Sequence, residues 1–309
     1  MQISHGLKSM STLKSGCVLT IGNFDGVHLG HRTIISQLLE RSRQFKVPGV
    51  VMTFDPHPSM VLRPQNPTKR LFSLLDLKEQ LSELEVSELI IEPFTFEFSQ
   101  ISAQDFISRL IVPILHPLDI LIGYDFVFGR NREGSLSVLM ELAKKYSFNI
   151  EQVAPINYNN EVVSSTRIRK LIESGDVSQA RDLLGRPYYI EGEVVRGEGR
   201  GEKLGYATAN INFSSEVLPA LGVYITEFQI AGKKLASVTN IGRKPTFHEN
   251  YDITVETHVI NAHENFYGRN IRVDFLKRLR AELKFNSSYE LIEQIDKDVL
   301  EAKKYFSIK

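Results

Sequence analysis

His28 and His31 lie three residues apart in GNFDGVHLGH (22–31), where an apolar run ends in a glycine-punctuated turn and helical spacing begins. The first N–H groups of a helix have no intrahelical partner and sit at the positive end of its dipole, so such a turn is an anion site. Residues three apart on a first helical turn point the same way. Two imidazoles beside those N–H groups suit a polyphosphate whose charge rises as pyrophosphate departs. Gly22, Gly26 and Gly30 let the backbone approach without a Cβ. An isolated HxxH is otherwise a capped helix with two surface histidines.

Three further segments raise the weight of that turn. In TFDPHP (53–58), Pro56 and Pro58 stiffen a turn and fix the directions of Phe54 and His57. GYDFVFG (123–129) carries Phe126 and Phe128, aromatics able to wall a flat ligand. SSTRIR (164–169) opens a helical stretch with hydroxyl and guanidinium groups, the chemistry of a phosphate grip. All three follow strand-like runs, where open α/β sheets bind their ligands.

A second constellation lies further on. RGEGRGEKLGYATAN (196–210) spaces its glycines GxGxG with no helix after them, so it is no dinucleotide fingerprint. Thr208 and Asn210 are two apart on a predicted strand, which turns both side chains to one face. A hydroxyl and an amide carbonyl are hard oxygen donors suited to Mg2+ that keeps waters and phosphates as its other ligands. The glycine loop before them can cover phosphates with backbone amides. Glu256 in VETHVI (255–260) is a strand carboxylate, for which the ordinary reading is a cross-strand ion pair, and His258 shares its face.

The elements that must position these groups fall into two textures. The first half alternates apolar runs (17–24, 48–54, 87–94, 119–126 and near 150–154) with helical patterns. In the first of these helices Ile34, Ile35, Leu38, Leu39, Ser42 and Phe45 share a face; Ser73 with Asp76 at N3, and Ser102, supply N-caps, the latter to a helix through about Ile111. Further helices are predicted over 135–146 and from about Thr166. This alternation predicts an α/β domain on a parallel sheet covered on both faces. From about Gly185 the helical period gives way to short alternating runs at 222–230, 233–241, 252–261 and 270–279, predicting an antiparallel β-barrel closed by a helix over 288–306. The linker GRP (185–187) puts the domains at 1–185 and 186–309.

Lys+Arg and Asp+Glu are both 37, and the balance holds in each half, 18 basic to 17 acidic over 186–309. Bulk electrostatics therefore argue against nucleic acid as a partner. The cluster in RVDFLKRLRAELKF reads as a solvated face above Phe275, Leu276, Leu279 and Leu283. Cys17 is the only cysteine, which excludes an internal disulfide and fits a reducing compartment as an inert buried thiol. With no signal-like segment and no membrane-length apolar run, the expected location is cytoplasmic.

Taken in order, GNFDGVHLGH, TFDPHP, GYDFVFGRNREG and SSTRIR resemble the adenylyltransferase half of bacterial bifunctional riboflavin kinase/FAD synthetases. The resemblance runs over essentially the whole chain: LGYATAN, NIGRKPTF (240–247), VETHVI and RAELKF (280–285) resemble the kinase half, with Ala207 where the family pattern has Pro. It implies a nucleotidyltransferase-type, Rossmann-like fold for the first half, and that Gly22, Phe24, Asp25, Gly26, His28, Gly30, His31, Asp125, Ser164, Thr166 and Arg169 meet one ATP. Many members have Asn at the position of Asp125. It further implies that Phe54, Pro56, His57, Pro58, Phe126 and Phe128 lie on the flavin side. In the second half Gly199, Gly201 and Lys203 would meet another ATP, Thr208 and Asn210 would hold Mg2+, and Glu256 would be the general base. Riboflavin, FMN and FAD are then substrates or products, with the protein a monomer or weak homo-oligomer. The alternative is a monofunctional FAD synthetase with an inactive kinase domain.

Overall fold

The apolar runs of the first half become strands β1 (Gln2–His5), β2 (Cys17–Ile21), β3 (Gly49–Asp55), β4 (Glu88–Pro93), β5 (Pro117–Gly123) and β6 (Asn149–Val153). They pair in parallel in the order β1-β4-β3-β2-β5-β6. This computed structural model describes residues 1–197, 205–244, 252–262 and 264–308. The chain divides into two units, Met1–Ser165 and Thr166–Lys309.

Apolar runs without alternation fit strands covered on both faces. Leu19, Ile21, Met52, Ile90, Ile120 and Ile122 bury toward one side, and Val18, Val51, Leu89, Ile91 and Leu121 toward the other. The covering helices are α1 (Leu29–Phe45), α2 (Pro58–Leu62), α3 (Leu74–Glu83), α4 (Phe96–Ser99), α5 (Ala103–Asp105), α6 (Val112–Leu115) and α7 (Leu136–Tyr146). Winding runs from β2 through β3 to β4 and then returns to β5 on the far side of β2. The crevice beyond the C-terminal ends of β2 and β5 is thus the switch point where such sheets take ligands.

Most local expectations hold. Ser73 and Asp76 form a reciprocal capping box, Ser102 caps α5, and the helix expected over 135–146 is α7. Cys17 is buried, and burial pushes its thiol up to about 12, which keeps it protonated and inert. Three differences have physical reasons. The helix expected from Ser102 to Ile111 runs as α5, a π-helical turn over Phe106–Ile111 and then α6. Pro113 has no N–H to give the carbonyl four residues back, and the wider turn lies just before it. Phe45, expected inward, is exposed at the last residue of α1. Strand β1 carries no periodicity of its own and exists by pairing with β4 at the sheet edge.

Beyond β6 come the hairpin strands β7 (Asn157–Tyr158) and β8 (Glu161–Val162), then helices α8 (Ser165–Ser174) and α9 (Val177–Leu184). The second unit is a closed antiparallel barrel of β9 (Tyr188–Val195), β10 (Ala209–Phe213), β11 (Gly222–Ile230), β12 (Lys233–Lys244), β13 (Asp252–Val259) and β14 (Asn270–Arg280). Its interior holds Tyr188, Tyr224, Phe228 and Phe275. It also holds a chain of buried hydroxyls in which Thr226 bonds Ser237 and Thr239 at 2.7 Å and Thr239 bonds Thr257 at 2.9 Å. Each polar group inside thus meets another, which removes the cost of burying it alone.

Helix α10 (Ser288–Phe306) lies over Val223, Ile225 and Val238, with Leu276 and Leu279 in the same cluster. The arginines of β14 are engaged with the protein rather than forming a solvated face. Arg272 bonds Asp274 at 2.6 Å, and Arg278 donates to the Leu221 carbonyl at 2.8 Å. Arg280 holds the buried carboxylate of Asp298 through Nε and Nη2. Leu283, expected beneath this cluster, is exposed. Asp298→Ala strands a largely buried guanidinium and is expected to cost about 3 kcal/mol of stability, read from denaturant midpoints. A loss below about 1 kcal/mol, the worth of a surface pair, would contradict that account.

Candidate functional site

The turn after β2 is braced from several directions. Gly22 N–H donates to the Met52 carbonyl at 3.0 Å, and Thr53 Oγ1 to the Asn23 carbonyl at 3.2 Å. Leu71 N–H donates to Asp25 Oδ1 at 2.9 Å, and Ser165 Oγ to the Asp25 carbonyl at 2.8 Å. The left-handed residues of the turn are Phe24 and Val27 as well as Gly26. Phe24 and Val27 are buried in the core, so their packing holds a conformation that L-residues otherwise avoid. Phe24, expected at the nucleotide, presents its ring edge-on to His31 at 5.3 Å between centroids. Asp25 likewise braces the turn.

His28 is the N-cap of α1, its Nδ1 accepting from His31 N–H at 3.4 Å. The two imidazoles stack with centroids 3.6 Å apart and planes 16° apart. His31 Nδ1 is buried with no hydrogen-bond partner. Burial, then the neighbouring His28, hold the His31 imidazole well below its ordinary range. Two stacked rings with one orphaned nitrogen form a site that gains from a bound anion, because negative charge beside them favours protonation.

At the ends of β3 and β5 the aromatic expectation widens. Phe54 contacts Phe94 and Phe98 with centroids 5.6 and 5.9 Å away, and Phe98 leads through Phe106 to Phe128. Phe126 and Phe128 stack at 5.4 Å. Phe94, Phe98 and Phe106 were invisible as site residues because their own segments carry no motif. His57 caps α2, its Nδ1 2.8 Å from Ser59 Oγ, with Pro58 inside the first turn, while Pro56 is exposed after a cis peptide bond. Asp125 is exposed, its carboxylate folded back toward Gly123. Ser164 ends the hairpin segment, and Thr166 and Arg169 lie on α8, with Arg169 Nη1 3.4 Å from Thr166 Oγ1.

Phe128 depends on Gly134, to which it is bridged: a Cβ at Gly134 would stand 2.6 Å from two carbons of the Phe128 ring. Gly134→Ala must displace that ring. If Phe128 walls the flavin, the KM for FMN in FAD formation is expected to rise about tenfold, with FMN formation from riboflavin untouched. An unchanged KM would remove Phe128 from the flavin side.

In the barrel, strand register supplies the geometry. Asn210 on β10 is directly opposite Glu256 on β13, and Glu256 is directly opposite Asn240 on β12. Opposed residues on antiparallel strands share a face. Asn210, Glu256 and Asn240 thus form one half-buried polar row on the face opposite Ala209, Thr257 and Thr239, which point inward. Thr208, expected from the two-residue spacing to share a strand with Asn210, lies just outside it: β10 begins at Ala209, so strand alternation does not set its direction. A Cβ at Gly197 would fall 2.2 Å from the Asn210 amide, so any side chain there would have to displace it.

Asn240, and Glu282 in RAELKF, were not singled out by sequence. Glu282 Oε1 and Asn240 Nδ2 lie 2.7 and 3.0 Å from where a Gly242 Cβ would be, which brings a second carboxylate to the end of the row. Gly199, Gly201 and Lys203, and Pro245, Thr246 and Phe247 of NIGRKPTF, lie outside the described residues. Among the described residues no group of three or more His, Cys, Asp or Glu could hold a metal. A divalent ion held by Thr208 and Asn210 would take its remaining oxygens from substrate phosphates and water, the ordinary habit of Mg2+. The donor chemistry fits. A carboxylate beside such an ion can take a proton from an alcohol.

Comparison with known proteins finds two families along the chain. A family model described as FAD synthetase matches residues 10–167, and one described as riboflavin kinase matches residues 184–306. A bifunctional riboflavin kinase/FMN adenylyltransferase from Haemophilus influenzae is 35% identical over 308 residues, 99% of this chain and 100% of that protein. The protein of the same name from Escherichia coli K12 is 36% identical over 310 residues, covering 100% of this chain and 99% of that one. A crystal structure described as a macrolide-efflux protein from Streptococcus pneumoniae superposes with a TM-score of 0.89 at 29% identity, covering 97% of this chain and 98% of the other.

Proposed function

The chain belongs to the family of bifunctional riboflavin kinase/FMN adenylyltransferases, and from that premise we infer which residues carry each of its two steps. It is an enzyme that phosphorylates riboflavin to FMN with ATP and adenylylates FMN to FAD with a second ATP. We assign the first step to residues 186–309 and the second to residues 1–185. The observation that carries the kinase half, against a monofunctional FAD synthetase, is the direct pairing of Asn210 with Glu256 in the barrel.

In the kinase step Glu256 takes the proton of the riboflavin 5′-hydroxyl as that oxygen attacks the γ-phosphorus, and ADP leaves. The nucleophile is a neutral alcohol, so a base is useful. Thr208 and Asn210 would hold Mg2+, which neutralises phosphate charge when bound. Gly199, Gly201 and Lys203 would cover the phosphates.

In the adenylyl step an oxygen of the FMN phosphate attacks the α-phosphorus of ATP and pyrophosphate leaves. That nucleophile is already an anion, so no proton has to move. His28 and His31, with the first N–H groups of α1, stabilise the charge that accumulates on the departing phosphates. Ser164, Thr166 and Arg169 add to the phosphate grip, and Asp125 lies toward the nucleotide. Phe54, His57, Phe126 and Phe128, with Phe94 and Phe98 beside them, line the flavin side.

Among the described residues no helix is long and apolar enough to cross a membrane. We take the enzyme to work in the cytoplasm as a monomer or weak homo-oligomer. The test is to incubate purified protein with riboflavin, ATP and Mg2+ and to resolve flavins by chromatography over time. FMN rising before FAD supports the two-step reading. FAD formed only from supplied FMN would restore the monofunctional alternative.

A further inference from the structure

Thr208 poses a problem that the barrel ladder does not solve. The β10–β13 register is formed at Ala209↔Thr257 and Asn210↔Glu256, and Thr208 lies one residue before that strand begins. Something other than strand pairing must aim its hydroxyl if it is to act with Asn210.

Two contacts hold the segment before Thr208. His258, one position beyond the last residue of β13 that pairs with β10, places Nδ1 2.9 Å from the Ala207 carbonyl. A carbonyl only accepts, so Nδ1 carries the proton. The preceding residue, Tyr206, sets its ring edge-on to His258 at 5.2 Å and donates its hydroxyl to Asp296 on α10. Helix α10 is itself fixed to β14 by Arg280 and Asp298. Tyr206 and Ala207 are thereby held by both a strand and a helix, immediately before the residue whose direction matters.

We propose that His258 is a positioning residue of the kinase step, which, with the Tyr206–Asp296 bond, clamps the Tyr206–Ala207 segment so that Thr208 meets the same ion as Asn210. The proposal rests on the kinase reading of Thr208, Asn210 and Glu256. His258 touches neither substrate nor metal in this scheme; it acts through the Ala207 carbonyl. Groups that orient the residues bound to a metal typically change metal affinity or activity by about tenfold or more when removed.

The chemistry of the bond dictates the variants. Asn carries its amide N–H at nearly the place of Nδ1, whereas Gln carries it about one methylene further out, nearer the place of Nε2. His258→Leu is expected to raise the Mg2+ concentration giving half-maximal FMN formation about tenfold. His258→Asn should recover most of that loss and His258→Gln should not. Tyr206→Phe should shift it in the same direction by less.

An independent readout needs neither metal nor substrate. Amide hydrogen exchange of a peptide covering 205–213 should quicken in His258→Leu and Tyr206→Phe and slow again in His258→Asn. Conversion of supplied FMN to FAD serves as the internal control for folding and should not change. Unchanged Mg2+ dependence and unchanged exchange in His258→Leu would overturn the clamp, as would rescue by Gln in place of Asn. If Asn210→Ala still forms FMN at the wild-type rate, the kinase assignment fails instead, and the exchange arm alone still decides whether His258 and Tyr206 hold this segment.

Discussion

Glu256→Gln is expected to lower FMN formation from riboflavin by about 10³-fold, within the range a general base contributes, while FMN supplied directly is still converted to FAD. The substitution is nearly isosteric and keeps an oxygen and a hydrogen-bonding group opposite Asn210 and Asn240, so the row across β10, β13 and β12 can persist. What disappears is the ability to take a proton. Binding of riboflavin and ATP should change little, so the loss falls on kcat rather than KM. A loss confined to KM would mean that Glu256 binds rather than abstracts. Loss of both activities in a folded protein would contradict separate sites. If the ordinary role of a strand carboxylate, a cross-strand pair, were all that Glu256 provides, Gln would cost stability and leave the rate nearly intact.

The legibility of these features differed in kind. Runs such as CVLTI and GVVMT are apolar on both faces, and a buried parallel sheet is their physical consequence, so the first unit could be read directly. Caps were legible because Ser73 with Asp76, and Ser102, act within a few residues of themselves. The barrel was harder, since β9 and β10 lie in or beside a glycine-rich stretch whose pairing is decided by distant strands. Site residues followed the same division. His28 and His31 form a local pattern, whereas Asn240, Glu282, Phe94 and Phe98 reach their sites only through register or through packing between elements. Thr208 shows the limit from the other side: two-residue spacing implied a shared strand face, but the strand begins one residue too late. Phe24 shows another, since its place in the motif gave no sign that its ring would be buried in the core beside His31.

Replacing both His28 and His31 by alanine is expected to have the opposite effect to Glu256→Gln, with FMN accumulating from riboflavin and FAD formation reduced by about 10²-fold or more, the scale of removing a charge-stabilising donor. The pair has to be removed together because the rings stack at 3.6 Å, and each sets the environment of the other. In the resting protein His31 is held neutral by burial and by His28. Its folded-state pKa lies below that of an unfolded histidine, so its contribution to stability is present above about 6.5 and falls away as the pH drops through the lowered folded value. A bound polyphosphate should act against this by favouring the imidazolium, raising the His31 pKa toward or above 6.5. Nitrogen chemical shifts of the two imidazoles, followed through a pH titration with and without pyrophosphate, measure that directly. Each added proton places positive charge where the leaving group gathers negative charge, so the same coupling that lifts the pKa assists departure. Should pyrophosphate leave both titrations unmoved, the histidines would not be the groups that meet the phosphates. The loss of FAD formation in the double variant would then have to come from collapse of the α1 N-cap that His28 supplies.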